Sequence, residues 1–284
     1  MPQPLPTQKP IAQSDHEDSR NGSSQPGWSC GTLGGVLFTA GVQRRPALNA
    51  DVLTSQISSD GVAVVTLDDG KVNAISPAVI AAFSKALDSI EADSRANAMV
   101  LAGREGQFSA GFDLATIMAG GTTRNELVSG GWELLLRLVE FPHPLVIACT
   151  GNAVAAGAAL LLTGDIRLGA DGDFKVGFNE VGIGLPLPGT VAALAEARLT
   201  AAEVFAATAG ARLYTPHEAI RAGYFHDVAP PTGLIDRAVE HAAVLGRLPQ
   251  GSFATTKQII SQATVAAMRG HISGDRALLE RIGG

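Results

Sequence analysis

The 284-residue sequence is poor in cysteine, in aromatic side chains and in clustered positive charge. Its two cysteines, Cys30 and Cys149, do not form a CxxC pair, so we expect reduced thiols and a cytoplasmic protein. The net charge is −6, and lysines and arginines never occur in runs longer than two. Because binding to phosphates needs concentrated positive charge, no nucleic-acid partner is expected. No apolar run is long enough to span a membrane, so no membrane partner is expected either.

Common catalytic motifs are also missing from the sequence. The Gly70-Lys71 pair is followed by a valine and lacks the first glycine of a phosphate-binding P-loop. The stretch "VGIGLP" (181–186) has two of the three glycines of a dinucleotide fingerprint. "QFSAG" (107–111) lacks the first glycine of a serine-hydrolase elbow. The six histidines show no HxH or HxxxH spacing, and we therefore expect no metal site.

What the sequence does contain is glycine (33 residues) and aliphatic side chains, arranged in three regions. Residues 1–54 are rich in Pro, Gln and Ser near the N-terminus and are predicted to form a disordered tail. Residues 55–198 alternate strand and helix patterns at the spacing of βα units, which predicts an α/β core with a mainly parallel sheet or spiral. Residues 199–284 are predicted to form a helical C-terminal region.

Local signals place individual elements. "ISSDGVAVVTLDD" (57–69) predicts two strands joined by a turn. Ser76 and Pro77 form a helix start, as an N-cap and a first helical residue. Other apolar patterns predict a helix ending near residue 140, one helical stretch over 189–210, and three C-terminal helices over 231–247, 252–268 and 271–282.

A single carboxylate, Glu180, lies in the otherwise apolar stretch "FKVGFNEVGIGLPLP" (174–188). A buried carboxylate without a partner is costly, and its pKa rises in response. A carboxyl group with a raised pKa suits proton-transfer chemistry. The alternative is a surface glutamate on a loop.

Two small-residue turns precede predicted helices. "GREGQFSAGFDLATI" (103–117) leaves a strand and enters a helix at Asp113, a good N-cap, and "TGNAVAAGAALLLTGD" (150–165) opens a buried helix. If the two turns lie side by side, they can aim two backbone amides at one point, as in an oxyanion hole. The alternative is that small residues only allow close packing of helix on strand.

Together these stretches resemble the crotonase superfamily of enoyl-CoA hydratases and isomerases over roughly residues 56–270. The resemblance implies a ββα spiral core, a C-terminal α-helical oligomerisation region, and a homotrimer or dimer of trimers. It implies an acyl-CoA thioester as substrate and no separate cofactor, since CoA arrives as part of the substrate. The matching segments are "GKVNAIS" (70–76), "FSAGFDL" (108–114), "GNAVAAGAALLLTGDIRLGA" (151–170), "KVGFNEVGIGL" (175–185), "TPHEAIRAGYFHDV" (215–228) and "SFATTKQII" (252–260).

The same resemblance assigns roles to residues of this chain. The amides of Phe112 and Ala156 would form the oxyanion hole, and Glu180 would be the catalytic acid–base. Phe253 and Lys257 would lie near the adenine and its 3′-phosphate, reaching across a subunit boundary. The segment 114–135 would set acyl-chain preference. The remaining CoA contacts would come from Lys71, Ala74, Ala110, Gly111, Phe112, Asp113 and Leu114.

One departure from the family pattern decides between activities. The family's hydratases carry a second glutamate at the position of Ala159, and no acid lies between Thr150 and Gly164. Syn-addition of water needs a carboxyl to deprotonate the water plus a proton donor, whereas moving a proton between two carbons needs one group. The chain is therefore most similar to 3,2-enoyl-CoA isomerases. The alternatives are a hydratase or other enolate-stabilising enzyme, and a catalytically silent acyl-CoA binder or scaffold.

Overall fold

The computed structural model describes residues 52–282, and within them the chain alternates strands and helices as an α/β fold. The strands are β1 (Leu53–Ile57), β2 (Val62–Leu67), β3 (Ala74–Ile75), β4 (Ala98–Gly103), β5 (Gly106–Ser109), β6 (Gly111–Phe112), β7 (Leu145–Cys149), β8 (Gly151–Val154), β9 (Ile166–Ala170), β10 (Val176–Gly177) and β11 (Asp227–Ala229). The helices are α1 (Pro77–Ala92), α2 (Leu114–Ala119), α3 (Gly121–Val139), α4 (Ala156–Leu162), α5 (Gly189–Arg198), α6 (Val204–Ala207), α7 (Pro216–Ala222), α8 (Leu234–Gly246) and α9 (Gln250–Ile282).

Three sheets organise the core. The largest has the strand order β1-β2-β4-β7-β9-β11 and is parallel except for the β1–β2 pair. A parallel sheet, β10-β8-β5, and a two-stranded parallel sheet, β3-β6, carry the turns described below. Every residue of β4 and β7 is buried, as expected for parallel strands covered on both faces. These repeated strand–turn–helix units confirm the predicted spiral α/β core.

Helix α1 follows its sequence signals closely. The Ser76 side chain accepts a hydrogen bond from the Val79 amide (3.2 Å), and Pro77 is the first helical residue. The buried face holds Val79, Phe83, Leu87 and Ile90, spaced by three or four residues. One apolar stripe therefore fixes this helix against the core.

Several predicted boundaries were wrong because tertiary contacts override local signals. Strand β1 begins at Leu53, two residues inside the predicted tail, because it pairs with β2 from Leu53 opposite Leu67. The rest of the predicted tail, with Cys30, lies outside the described residues. Helix α3, of which only the end near residue 140 was predicted, starts at Gly121. The predicted helical stretch 189–210 breaks after α5, where the Thr200 amide bonds to the Ala222 carbonyl (3.0 Å).

The last helix, α9, runs without a break for 33 residues, where the sequence predicted two separate helices. It packs along α5 and α3. Buried Asp275 of α9 accepts hydrogen bonds from the amides of Gly189 (2.7 Å) and Thr190 (2.8 Å) and from the Thr190 hydroxyl (2.7 Å). Asp275 thus satisfies the otherwise free amides at the start of α5. This packing stabilises α9 through Gly270 and Gly274, where propensity alone favours a break.

Among the helices of the described residues, none is both long and apolar enough to cross a bilayer. Cys149 is a buried free thiol, and burial raises its pKa to about 12.

Candidate active site

The first turn is held by the short β3–β6 pair. Ala74 is opposite Gly111 and Ile75 is opposite Phe112, and the Asp113 amide donates to the Ile75 carbonyl (3.0 Å). Successive amides of a strand point to opposite edges, so the Phe112 amide points away from β3. The Asp113 carboxylate accepts hydrogen bonds from the amide (2.8 Å) and hydroxyl (2.6 Å) of Thr116, which confirms it as the N-cap of α2.

The second turn lies directly against the first. A Cβ atom on Gly111 would be 3.1 Å from the amide nitrogen of Ala156 and 3.2 Å from the carbonyl oxygen of Val154. Gly111 also has φ +92°, a conformation that favours glycine. A Cβ on Gly157 would lie 2.2 Å from the carbonyl oxygen of Ser109. The structure therefore brings the Phe112 and Ala156 segments together, backbone against backbone.

The Ala156 amide is aimed by an unusual residue before it. Ala156 is the first residue of α4, and Ala155 precedes it with φ 52° and ψ −129°. The Ala155 amide donates to the Gly177 carbonyl (3.0 Å), and its carbonyl accepts from the amides of Ala158 (2.9 Å) and Ala159 (3.2 Å). Backbone hydrogen bonds on both sides thus hold a conformation that costs an alanine about 1–3 kcal/mol.

We expect Ala155→Gly to raise the free energy of unfolding by about 1 kcal/mol. Relief of the left-handed strain exceeds the extra chain entropy that a glycine loses on folding. Urea unfolding at constant pH measures the change, and Ala158→Gly inside α4 is the matched control, with an expected loss of about 1 kcal/mol. A loss of stability in Ala155→Gly equal to that of the control would contradict the strain at this position.

Glu180, the single carboxylate of the apolar stretch 174–188, faces inward near the second turn. Strand β10 pairs with β8, with Gly177 opposite Val154, and the chain then turns through Glu180 into a 3-10 turn (Val181–Ile183). Within residues 52–282, the buried Oε2 atom of Glu180 has no hydrogen-bond partner. Burial raises the pKa of Glu180, and the backbone amides of Glu180 and Asn179 offset part of that rise. The alternative of an exposed surface glutamate is excluded.

The α4 helix beside Glu180 carries no acid. Its residues Ala156–Leu162 are all alanine, glycine or leucine, and all are buried. Ala159, where the family's hydratases carry their second glutamate, is fully buried. Glu180 is therefore the only carboxylate that these two segments bring to the site.

The loop before β3 is held by Asp69 and Asn73, two residues to which the sequence analysis assigned no role. The Asp69 carboxylate accepts hydrogen bonds from the amides of Lys71 (2.7 Å), Asn73 (2.8 Å) and Ala74 (2.9 Å). The fully buried Asn73, at φ 53°, donates its side-chain amide to the carbonyls of Leu67 (2.8 Å), Gln107 (3.0 Å) and Phe108 (3.1 Å). The signal was the run "DDGKVN" (68–73), whose Asp and Asn residues commonly bond their own turn.

Asp69 gives the loop a pH-dependent stability. Burial raises the pKa of Asp69, but the amides of Ala74, Asn73 and Lys71, with the charge of Arg104, outweigh it and lower the pKa below 3.8. A lowered pKa means that this stabilisation is present above the unfolded-state value and is lost as the pH falls through the folded-state value.

We expect Asp69→Ala to lower the free energy of unfolding by about 1–2 kcal/mol at pH 7, since the half-exposed carboxylate is partly screened by solvent. Its deficit relative to the unsubstituted protein should shrink below about pH 3.8. Urea unfolding at pH 7 and pH 3 measures both values. Asp68→Ala is the control, because exposed Asp68 accepts one amide hydrogen bond, from Gly70 (2.8 Å). A deficit that stays constant across this pH range would contradict the role of ionised Asp69.

The predicted CoA contacts mostly share one rim. The Ala110 amide bonds to the Val72 carbonyl (3.0 Å), next to the loop of Lys71 and Ala74. The charge of Lys71 helps lower the pKa of Asp113, after the hydrogen bonds from Thr116. Leu114 is 71% exposed and Lys71 is exposed. Lys71, Ala74 and the segment 110–114 thus surround the first turn.

The predicted phosphate contact of Lys257 stays a prediction. Its ammonium is buried, 2.7 Å from Oδ2 of Asp165 and 3.3 Å from the carbonyl oxygen of His143. Burial lowers the pKa of Lys257, and the charge of Asp165 opposes that change. Phe253 lies half-buried in the first turns of α9, and its predicted adenine contact stays a prediction.

Comparison with known proteins agrees with this geometry. Residues 58–283 match the sequence profile described as Enoyl-CoA hydratase/isomerase. A putative enoyl-CoA hydratase of Thermus thermophilus is 34% identical over 214 residues, 72% of this chain and 82% of that protein. Human mitochondrial enoyl-CoA delta isomerase 1 is 29% identical over 223 residues, 76% of this chain and 73% of that protein.

Solved structures show the same relationship. Two structures of one Mycobacterium tuberculosis protein, titled an enoyl-CoA isomerase in one and a probable enoyl-CoA hydratase in the other, superimpose with a TM-score of 0.76 at 35% and 36% identity; each covers 80% of this chain, and 98% and 95% of the solved chain. The paired turns around Gly111, the inward-facing Glu180 and these similarities lead to one conclusion. The chain belongs to the enoyl-CoA hydratase/isomerase family of the crotonase superfamily.

Proposed function

We propose that this chain is a 3,2-enoyl-CoA isomerase with Glu180 as its acid–base. The single observation that carries the proposal is the inward-facing carboxylate of Glu180, whose pKa burial raises, beside a helix without a second acid. The 29% identity to human mitochondrial enoyl-CoA delta isomerase 1 supports it, whereas the Mycobacterium tuberculosis neighbour, titled both isomerase and hydratase, favours neither activity.

The reaction begins at the thioester carbonyl. Its oxygen binds between the amides of Phe112 and Ala156, and removal of a C2 proton places negative charge on that oxygen. Each well-placed amide donor lowers the barrier by about 3–4 kcal/mol, which makes the enolate accessible. No charged residue is needed beside this oxygen, because the two turns already hold both amide donors in place.

Glu180 then moves the proton. Its carboxylate takes the proton from C2, the electrons of that C–H bond form the dienolate, and the carboxyl group returns the proton to C4. The double bond shifts from position 3 to position 2, and the carboxylate is regenerated. The raised pKa favours both halves of this cycle, since the group must both accept and donate a proton.

A second candidate is an enoyl-CoA hydratase, which the 34% identity to the Thermus thermophilus protein of that name favours. Hydration by this chain requires a group other than Glu180 to handle the water. A decarboxylase or thioester hydrolase would use the same oxyanion hole. A non-catalytic acyl-CoA binder would use only the CoA rim.

Side-by-side assays with 3-enoyl-CoA and 2-enoyl-CoA substrates separate these functions. We expect conversion of 3-enoyl-CoA to 2-enoyl-CoA. Hydration of crotonyl-CoA should be slower than this isomerisation by at least about 10²-fold, the usual contribution of one acid–base group. Fast hydration of crotonyl-CoA would overturn the isomerase assignment. Binding of acyl-CoA without turnover of either substrate would indicate the non-catalytic binder.

The cytoplasmic location and the homotrimer or dimer of trimers stay predictions. Helix α9 carries two exposed isoleucines, Ile259 (66% exposed) and Ile260 (75%), which are candidates for subunit contacts. Light scattering of the purified protein measures the subunit number.

A further inference from the structure

Tyr224 is a buried polar residue that the proposed mechanism does not use. It follows the Gly223 turn at the end of α7, and its ring is fully buried. The ring centroid is 6.0 Å from that of Phe178 and 5.6 Å from that of Tyr214. The Tyr224 hydroxyl has no hydrogen-bond partner among residues 52–282. A buried hydroxyl without a partner is rare in folded proteins and calls for an unobserved water or ion.

Two other buried atoms without partners belong to consecutive residues of the segment that follows β10. They are Oδ1 of Asn179 and Oε2 of Glu180. The backbone amide of Phe178 acts on the Tyr224 hydroxyl, and the amides of Asn179 and Glu180 act on the Glu180 carboxylate. Phe178, whose ring centroid lies 6.0 Å from that of Tyr224, directly precedes Asn179 and Glu180, so the packing of the two rings brings Tyr224 against this segment. Burial, then Tyr214, then the charge of Glu180 raise the pKa of Tyr224.

The three unpaired atoms match the bonding capacity of one water molecule. The tyrosine hydroxyl donates one hydrogen bond, and the amide oxygen and carboxylate oxygen each accept one. A water that accepts from the hydroxyl and donates to the two oxygens satisfies all three. Buried waters in proteins make about three such hydrogen bonds.

We propose that one buried water joins the Tyr224 hydroxyl to Oε2 of Glu180 and Oδ1 of Asn179, and that Tyr224 is thereby a positioning residue for the catalytic carboxylate. The inference rests on the proposed role of Glu180 as acid–base. The water anchors Oε2 and thereby fixes the orientation of the carboxylate. It also donates to the ionised carboxylate and so opposes the effect of burial, keeping the group a usable base near neutral pH.

The two neighbouring tyrosines provide a matched test. The Tyr214 hydroxyl donates to Oε2 of Glu203 (2.9 Å), whereas the Tyr224 hydroxyl is unpaired. Burial, Glu203 and Glu218 raise the pKa of Tyr214, and the charge of Arg212 lowers it. Burial, Tyr214 and Glu180 raise the pKa of Tyr224. Tyr224→Phe and Tyr214→Phe therefore each delete one hydroxyl from the same aromatic cluster, but only the first deletes the partner of the proposed water.

We expect Tyr224→Phe to lower kcat for isomerisation about tenfold, with KM changed less than twofold. The acid limb of kcat/KM against pH should move up by about one pH unit, because the carboxylate loses a hydrogen bond. Tyr214→Phe should leave the acid limb in place. An unmoved acid limb in Tyr224→Phe, or equal shifts in both variants, would overturn the inference.

A readout without turnover separates this inference from the proposed function. Carboxyl 13C NMR, with Glu180→Gln to assign the signal, follows the titration of Glu180 in the unsubstituted protein and both tyrosine variants. A raised Glu180 pKa in Tyr224→Phe alone supports the inference even if no isomerase activity is found. A crystal structure of the unsubstituted protein without a water bonded to the three atoms would overturn it.

Discussion

Replacement of Glu180 by glutamine is expected to lower kcat for 3-enoyl-CoA isomerisation by about 10²–10⁴-fold, the usual contribution of a general acid–base. Glutamine keeps the size and polarity of the side chain but can neither accept nor return the C2 proton. The amides of Phe112 and Ala156 and the CoA rim are untouched, so acyl-CoA affinity should change less than threefold, or about 0.6 kcal/mol. Steady-state kinetics and isothermal titration with a saturated acyl-CoA measure the two quantities.

The matched control is Glu196→Gln, an exposed glutamate on α5 that lies outside the site. It should keep the kinetics of the unsubstituted protein. Retention of full isomerase activity in Glu180→Gln would remove Glu180 from the mechanism. Loss of acyl-CoA affinity in step with activity would point instead to a binding role for the carboxylate.

Replacement of Asp165 by alanine is expected to lower the free energy of unfolding by about 3–5 kcal/mol. The Lys257 ammonium is only 8% exposed at its side chain, and Asp165 is its carboxylate partner at 2.7 Å. Asp165 also accepts the Leu145 amide (2.9 Å) at the start of β7. Removal of the carboxylate therefore leaves a buried cation unpaired and a strand amide unbonded. Urea unfolding followed by circular dichroism measures the loss.

A surface pair of similar geometry gives the control for this prediction. Arg269 and Glu140 are 2.6 Å apart with side chains 58% and 41% exposed, so Glu140→Ala should cost less than about 1 kcal/mol. The double variant Asp165→Leu with Lys257→Met should be more stable than Asp165→Ala, because no buried charge remains. Equal losses from the buried and the surface pair would contradict the burial argument.

The sequence was most informative where the chemistry is local. Ser76 and Asp113 were recognised as N-caps because a cap bonds to amides two or three residues away. The turn at Gly111 was recognised because only small residues allow such close backbone approach. The family resemblance, and not the spacing of residues, predicted that the Phe112 and Ala156 turns meet. Two small-residue turns in a sequence can also serve only the packing of helix on strand.

The failures involve partners that are distant in sequence. Asn73 bonds to carbonyls 34 and 35 residues away, and local turn signals cannot identify those acceptors. Lys257 pairs with an aspartate 92 residues away, a partner that no local motif identifies. The continuity of α9 likewise depends on Asp275 contacting α5, which no periodicity within α9 reveals.

The contact between the two turns consists of main-chain atoms, whereas the nearby α2 helix presents Leu114 and Met118 to solvent, 71% and 76% exposed. If the segment 114–135 sets acyl-chain preference, as the family resemblance implies, the oxyanion hole and the substrate range are encoded by different positions. A random library over Leu114–Met118 should therefore yield altered acyl preferences at high frequency. A library at Gly111 or Gly157 should yield almost only inactive clones, which makes this scaffold a good starting point for laboratory evolution.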